Sequence, residues 1–185
     1  MEKLYTITAL SENEVGLLNQ ISIIFTRRKL NIESLSVSAS AISGVHKFVI
    51  TTVCDEAMAI KVVNQIEKRI DVIRAFYYAE EDIVYQEVAL YKVSTPALLE
   101  AGGLEKLVRK YNARILEIHP VYTIIEKTGH TEETQALFQD LDKYGVLQFV
   151  KSGRVSITKS TIEHVDEYLE SQELRRKELE EEKNG

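Results

Sequence analysis

The chain has 185 residues, a single cysteine at Cys54 and a formal net charge of −6. That length gives room for one large or two small domains that need no staples, and one thiol excludes a disulfide framework or a cysteine-based zinc cluster and suits a reducing compartment. Glu163 to Lys183 holds nine acidic and four basic residues, a net of −5, so the remainder is near neutral and offers neither a nucleic-acid footprint nor an anionic-membrane binder.

Met1-Glu-Lys-Leu-Tyr-Thr lacks the basic and apolar regions of a leader, and no stretch reaches the length of a bilayer span, so a cytoplasmic protein is expected. Leu4 to Leu10 reads as a short, mostly apolar strand. Ser11-Glu-Asn-Glu14 supplies turn formers and N-cap candidates, and Gly16 to Arg28 carries Leu17, Leu18, Ile21, Ile24 and Phe25 at helical spacing. Leu35 to Ile42 alternates as a half-buried strand, Ser43-Gly44 turns, and Val45 to Val53 is a β-branched-rich strand. Asp55 then caps a helix whose apolar face is Ala59, Val62, Val63 and Ile66, and Val72 to Tyr78 supplies a fourth strand.

The order βαββαβ predicts an α+β fold of ferredoxin-like plan. In it an antiparallel sheet has its first and third strands central, its second and fourth at the edges, and both helices on one face. An exposed edge can pair with a second chain.

Glu80-Glu-Asp82 reads as a polar linker. Beyond it the plan repeats: Tyr85 to Val93 as strand, Ala97 to Tyr111 as helix, Arg114 to Ile118 and Val121 to Glu126 as strands. Thr131 to Tyr144 follows as a helix, and Val146 to Val150 and Val155 to Thr158 close the set. Gly102-Gly103 weakens the helix at 97–111, which is expected to break or to begin late. Ser160 with Glu163 makes a capping box ahead of an acidic helical tail. The expected units are 1–79, 84–159 and the tail 160–185.

The turn Asn13-Glu-Val-Gly16 is the first candidate for function. Gly16 allows close backbone approach, and the unpaired N–H groups of a first helical turn favour an anion such as a carboxylate. On local pattern alone the commoner reading is plainer: Asn13 caps and Gly16 relieves a tight turn.

Other chemistry is absent from the pattern. The four histidines, at 46, 119, 130 and 164, show no helical metal spacing, and no GxGxxG, P-loop, GxSxG or HExxH motif occurs. RNA-recognition domains share the βαββαβ order, and Lys47-Phe-Val49 loosely matches their stacking strand, but the basic-glycine-aromatic start is missing and the chain is acidic. No catalytic residue, metal or cofactor is expected.

Three runs carry a resemblance: Leu10-Ser-Glu-Asn-Glu-Val-Gly-Leu-Leu, Phe25-Thr-Arg-Arg-Lys-Leu-Asn-Ile-Glu-Ser-Leu-Ser-Val and Ile66-Glu-Lys-Arg-Ile-Asp-Val-Ile-Arg. They resemble the regulatory small subunit of acetolactate synthase. The likeness continues through Glu87-Val-Ala-Leu-Tyr-Lys-Val, Tyr122-Thr-Ile-Ile and Lys151-Ser-Gly153, over about residues 1 to 159. It implies that 1–79 is an ACT domain, an amino-acid-binding version of the ferredoxin-like fold, followed by a second ferredoxin-like domain.

By that resemblance two copies join through ACT edge strands into a homodimer. Valine or another branched-chain amino acid binds where they meet, and the partner is a thiamine-diphosphate-dependent large catalytic subunit that this chain activates and makes sensitive to feedback. The implied effector contacts are Asn13, Val15, Gly16 and Leu17 of one chain with Asn31 and Ile32 of the other, Leu10 adding to the apolar wall. Lys29 stands where many relatives have glycine. The alternative is a stand-alone ACT-type sensor of another enzyme or of a transcription factor.

Overall fold

A computed structural model describes residues 2–100 and 102–160. The expected helical tail, with the Glu163 half of its capping box, lies outside the described residues.

The first unit runs β1 (Lys3–Glu12), α1 (Leu17–Arg27), β2 (Ser34–Ala39), β3 (Val45–Cys54), α2 (Glu56–Ile66) and β4 (Val72–Tyr78). Its strands lie in the order β2-β3-β1-β4, antiparallel throughout, with β1 and β3 central as the sequence predicts. Alternation along β1 sends Ile7 and Ala9 toward the helices, where they meet Leu17, Ile21, Ile24 and Phe25 of α1 and Val62, Val63 and Ile66 of α2. Each large side chain buried this fully contributes about 1.5–3 kcal/mol, which is how an 11-residue helix too short to persist alone is held. Asp55 caps α2 as expected, its Oδ1 accepting from the Met58 amide at 2.7 Å.

A single 3-10 turn, Glu80–Asp82, fills the polar linker. Then come β5 (Ile83–Ser94), α3 (Thr95–Glu100), α4 (Leu104–Tyr111), β6 (Arg114–Ile118), β7 (Tyr122–Gly129), α5 (Thr131–Asp142), β8 (Val146–Lys151) and β9 (Val155–Thr158). The order β6-β7-β5-β8 repeats that of the first sheet. The helix expected at 97–111 is split at Gly102-Gly103, with Gly102 at φ 56, and its first piece begins earlier than expected, at Thr95.

β5 is longer than its apolar run suggested, because Ile83 to Gln86 pair with β9 while Glu87 onward pair with β7. This extra strand places the second unit on the first. Gly153, between β8 and β9, lies so close to β2 that a Cβ there would meet the Leu35 carbonyl carbon at 3.3 Å. Lys47 of β3 donates from Nζ to the Ser156 carbonyl at 3.2 Å.

Candidate functional site

The sequence placed the helix cap among Ser11 to Glu14; the structure corrects this. β1 pairs with β3 as far as Glu12 opposite Val45, which draws Ser11 and Glu12 into the sheet. The residue at the head of α1 is Gly16, in the left-handed region at φ 90, and no side chain caps the helix. The Leu17 amide reaches back to the Glu14 carbonyl at 3.4 Å, and the Gln20 amide to Gly16 at 3.1 Å. Among the described residues the amides of Val15, Gly16, Leu18 and Asn19 meet no backbone acceptor. They stand at the positive end of the helix dipole, where an anionic group is favoured.

Asn13, Val15 and Gly16 are exposed, Val15 completely. Leu17 points inward at 1% exposure and belongs to the core. Leu10 is also buried, but it lies on the opposite parity of β1 from Ile7 and Ala9. The two leucines therefore do not form one wall within a protomer.

The far end of α1 is closed by a reciprocal pair of backbone bonds, Leu30 N to Phe25 O and Lys29 N to Thr26 O, each at 3.0 Å. This is the Schellman arrangement, and it puts Lys29 at φ 56. The chain then turns into Asn31, whose carbonyl accepts from Thr52 Oγ1 at 2.7 Å and whose Nδ2 donates to Glu33 Oε1 at 3.2 Å. Ile32, half-buried, packs against the first core.

The two groups of expected contacts thus occupy opposite ends of α1. Eleven residues at 1.5 Å each separate them by about 16 Å along the helix. One chain does not bring them together. The strand that follows α1, β2, is an edge of the same sheet, with Val37, Ser38 and Ala39 exposed.

A second cluster escaped the sequence reading. Glu87, 4% exposed, accepts from Thr131 Oγ1 at 2.8 Å and from Arg154 Nε at 3.5 Å, and its Oε2 is 2.9 Å from Lys151 Nζ. Arg154 is 5% exposed and lies over the Tyr85 ring at 3.7 Å, and Tyr85 in turn donates to Glu80 at 2.7 Å. Burial alone would raise the Glu87 carboxyl; Lys151, Thr131 and Arg154 outweigh it and hold the group below its ordinary value. One signal for it was present: Glu87 falls on the buried parity of β5 between Tyr85 and Ala89, where an apolar residue belongs.

Among the described residues no group of three or more His, Cys, Asp and Glu is placed to hold a metal ion, and no helix is long and apolar enough to cross a membrane. Cys54 is free and buried, and burial pushes its thiol up.

Residues 7–74 match the family model described as AHAS small subunit-like ACT domain, and residues 86–160 match that described as small subunit of acetolactate synthase. The acetolactate synthase small subunit of Mycolicibacterium smegmatis is 30% identical over 155 residues, covering 84% of this chain and 91% of the relative. The probable acetolactate synthase small subunit of Methanothermobacter thermautotrophicus is 26% identical over 85% of this chain and 94% of its own length. The crystal structure of the Thermotoga maritima small subunit superposes with a TM-score of 0.78 at 23% identity, over 86% of this chain and 99% of that one. With both halves matched in sequence order and both sheets in the same strand order, the chain belongs to the acetolactate synthase small subunit family.

Proposed function

We propose that this chain is a non-catalytic regulatory subunit: it raises the activity of a thiamine-diphosphate-dependent acetolactate synthase large subunit and lets a branched-chain amino acid, valine first among them, lower it. The observation that carries the reading is the separation of the two half-sites to opposite ends of α1, in a unit whose sheet has β2 as an edge strand exposed at Val37 to Ala39. Antiparallel two-fold pairing of two copies along that edge would set the head of one α1 against the tail of the other. The match of residues 86–160 to the small-subunit model favours this over a stand-alone sensor, which needs no such second half.

In that seam the free amides around Val15 and Gly16 receive the effector carboxylate. Asn13 donates beside them, the Asn31 carboxamide oxygen accepts from the ammonium, and Ile32 meets the aliphatic side chain. Neutral amides suit a zwitterion because they donate and accept without adding net charge. Inhibition follows from linkage: the effector binds one arrangement of the assembly better than another. A coupling of about 1–3 kcal/mol shifts the balance roughly 5- to 150-fold.

The test is Asn13→Asp, which sets a negative charge against the carboxylate. Amino-acid inhibition should vanish while activation of the large subunit persists; inhibition that persists unchanged overturns the pocket. Calorimetry on the isolated chain should detect valine, leucine or isoleucine, and silence toward all three overturns the effector reading.

A further inference from the structure

Asn31 and Glu33 lead directly into β2. The Glu33 amide donates to the Thr51 carbonyl at 2.8 Å, and the Ser34 and Thr51 hydroxyls share a hydrogen bond of 2.7 Å, so this start of the strand is fixed to β3. Two residues after Glu33 the second unit touches the strand. A Cβ on Gly153 would stand 3.3 Å from both the carbonyl carbon and the carbonyl oxygen of Leu35, and 3.6 Å from Ser36 Cβ. That spacing is closer than a side chain ordinarily keeps, so the glycine serves the approach of two backbones. It does not serve a turn, since Gly153 has no positive φ.

The link that carries Gly153 is braced on both sides. Ser152 and Val88 of β5 exchange two hydrogen bonds: the Ser152 amide donates to the Val88 carbonyl at 2.8 Å, and Ser152 Oγ accepts from the Val88 amide at 2.9 Å. On the other side Arg154 lies over the Tyr85 ring at 3.7 Å and donates to Glu87. Next to the contact the two units part around a cleft of about 520 Å³, with Glu33 and Leu35 on one wall and Glu87 and Lys151 on the other. A shift of β2 at Leu35 therefore meets a backbone tied to β5, and close-packed contacts of this kind transmit displacement instead of absorbing it.

We propose that Gly153 is a positioning residue for regulation: its contact with β2 carries the state of the Asn31–Ile32 half-site into the second unit. The inference rests on the effector reading above and adds the route from that site to the second unit. The two arrangements differ in whether the Gly153 contact is made or parted. An effector at the head of β2 transmits only as much as it prefers one of them over the other.

The full chain is reconstituted with its large subunit as native protein and as Gly153→Ala, Ser152→Ala and Lys159→Met. Alanine at 153 forces β2 and the link apart by a few tenths of an ångström. Ser152→Ala frees the link from the Val88 amide without touching β2, and it decides the question if Gly153→Ala fails to fold. Lys159→Met is the control, removing a tie at the linker, Lys159 Nζ to the Glu81 carbonyl at 2.7 Å. Valine binding to each chain is measured by calorimetry, with activation of the large subunit without effector and inhibition at saturating valine. A typical coupling gives the native enzyme about 5- to 150-fold inhibition. In Gly153→Ala and Ser152→Ala it should fall to about twofold or less, with valine still bound and activation kept, while Lys159→Met matches native. Native-like inhibition in folded Gly153→Ala, loss of valine binding or of activation together with inhibition, or equal loss of inhibition in Lys159→Met would each overturn the route. A native chain that binds no branched-chain amino acid overturns the effector reading itself, and this inference with it.

Discussion

Asn31 donates from its carboxamide nitrogen to Glu33 Oε1 at 3.2 Å, and this one bond orients both residues at the tail of α1. With Nδ2 engaged, Oδ1 is the atom left to accept from an ammonium. Glu33 is itself held by its amide on the Thr51 carbonyl at 2.8 Å, so the anchor belongs to the sheet and not to a loose turn. Glu33→Ala should free the carboxamide to rotate and remove a nearby negative charge. A lost hydrogen bond of about 0.5–1.5 kcal/mol corresponds to an effector affinity weakened roughly 2- to 12-fold. Inhibition curves for the reconstituted enzyme read the change directly, and an unshifted midpoint would show that the Asn31 orientation is irrelevant.

Lys29 occupies the left-handed position that closes α1, at φ 56, where a Cβ is strained. Lys29→Gly should relieve that strain while keeping both closing backbone bonds. Glycine also gains freedom in the unfolded chain, which offsets part of the benefit, so the expected net is a stabilisation of about 0.5–1 kcal/mol. Thermal or urea denaturation checks it; a less stable variant would mean that the lysine side chain contributes more than its backbone costs.

Most of the fold was legible because its signals are local. The i, i+3, i+4 spacing of Leu17, Ile21, Ile24 and Phe25 and the cap at Asp55 need only neighbouring residues, and both appear where expected. The end of β1, and with it the cap candidates, was misread for a long-range reason: Ser11 and Glu12 look like turn formers until His46 and Val45 pair with them. β9 pairing with the first third of β5 has the same character, since its partner lies some seventy residues away. Of the site, the segments Asn13 to Gly16 and Asn31 to Ile32 were readable as motifs. That α1 holds them apart follows from the same local pattern, since the helix read from Gly16 to Arg28 lies between them; the convergence of Glu87, Lys151 and Arg154 was not readable, because it requires the tertiary fold.

The Glu87 cluster makes stability depend on acid in a defined direction. Its folded-state carboxyl titrates below the ordinary value of 4.5, so below that value the unfolded chain binds protons the folded chain does not. The stabilisation is fully present above the ordinary value and is lost as pH falls through the lowered one. Glu87→Gln should remove this dependence and also leave Arg154 buried beside a neutral amide. Breaking a buried pair from one side costs about 3 kcal/mol. Denaturation midpoints should therefore be lower than native at pH 7, with a flatter decline from pH 5 to pH 3; a parallel decline would place the acid sensitivity elsewhere.

Gly16 distinguishes backbone shape from space. A Cβ built there meets nothing within 4 Å, so substitution brings no clash in the isolated chain, yet φ 90 is unfavourable for any residue with a Cβ. Gly16→Ala should cost about 1–2 kcal/mol through backbone conformation alone. Gly16→Asn should cost less, because asparagine tolerates the left-handed region. If Gly16 serves only the turn, effector sensitivity should follow stability, with the asparagine variant the better on both counts. If a ligand carboxylate approaches the Val15 and Gly16 amides closely, any side chain there obstructs it, and both variants should lose inhibition regardless of their stability. Paired denaturation and inhibition measurements separate the outcomes, and the second is expected: the amides stay uncapped at the end of a helix whose tail is carefully closed, an asymmetry that the packing of α1 does not require.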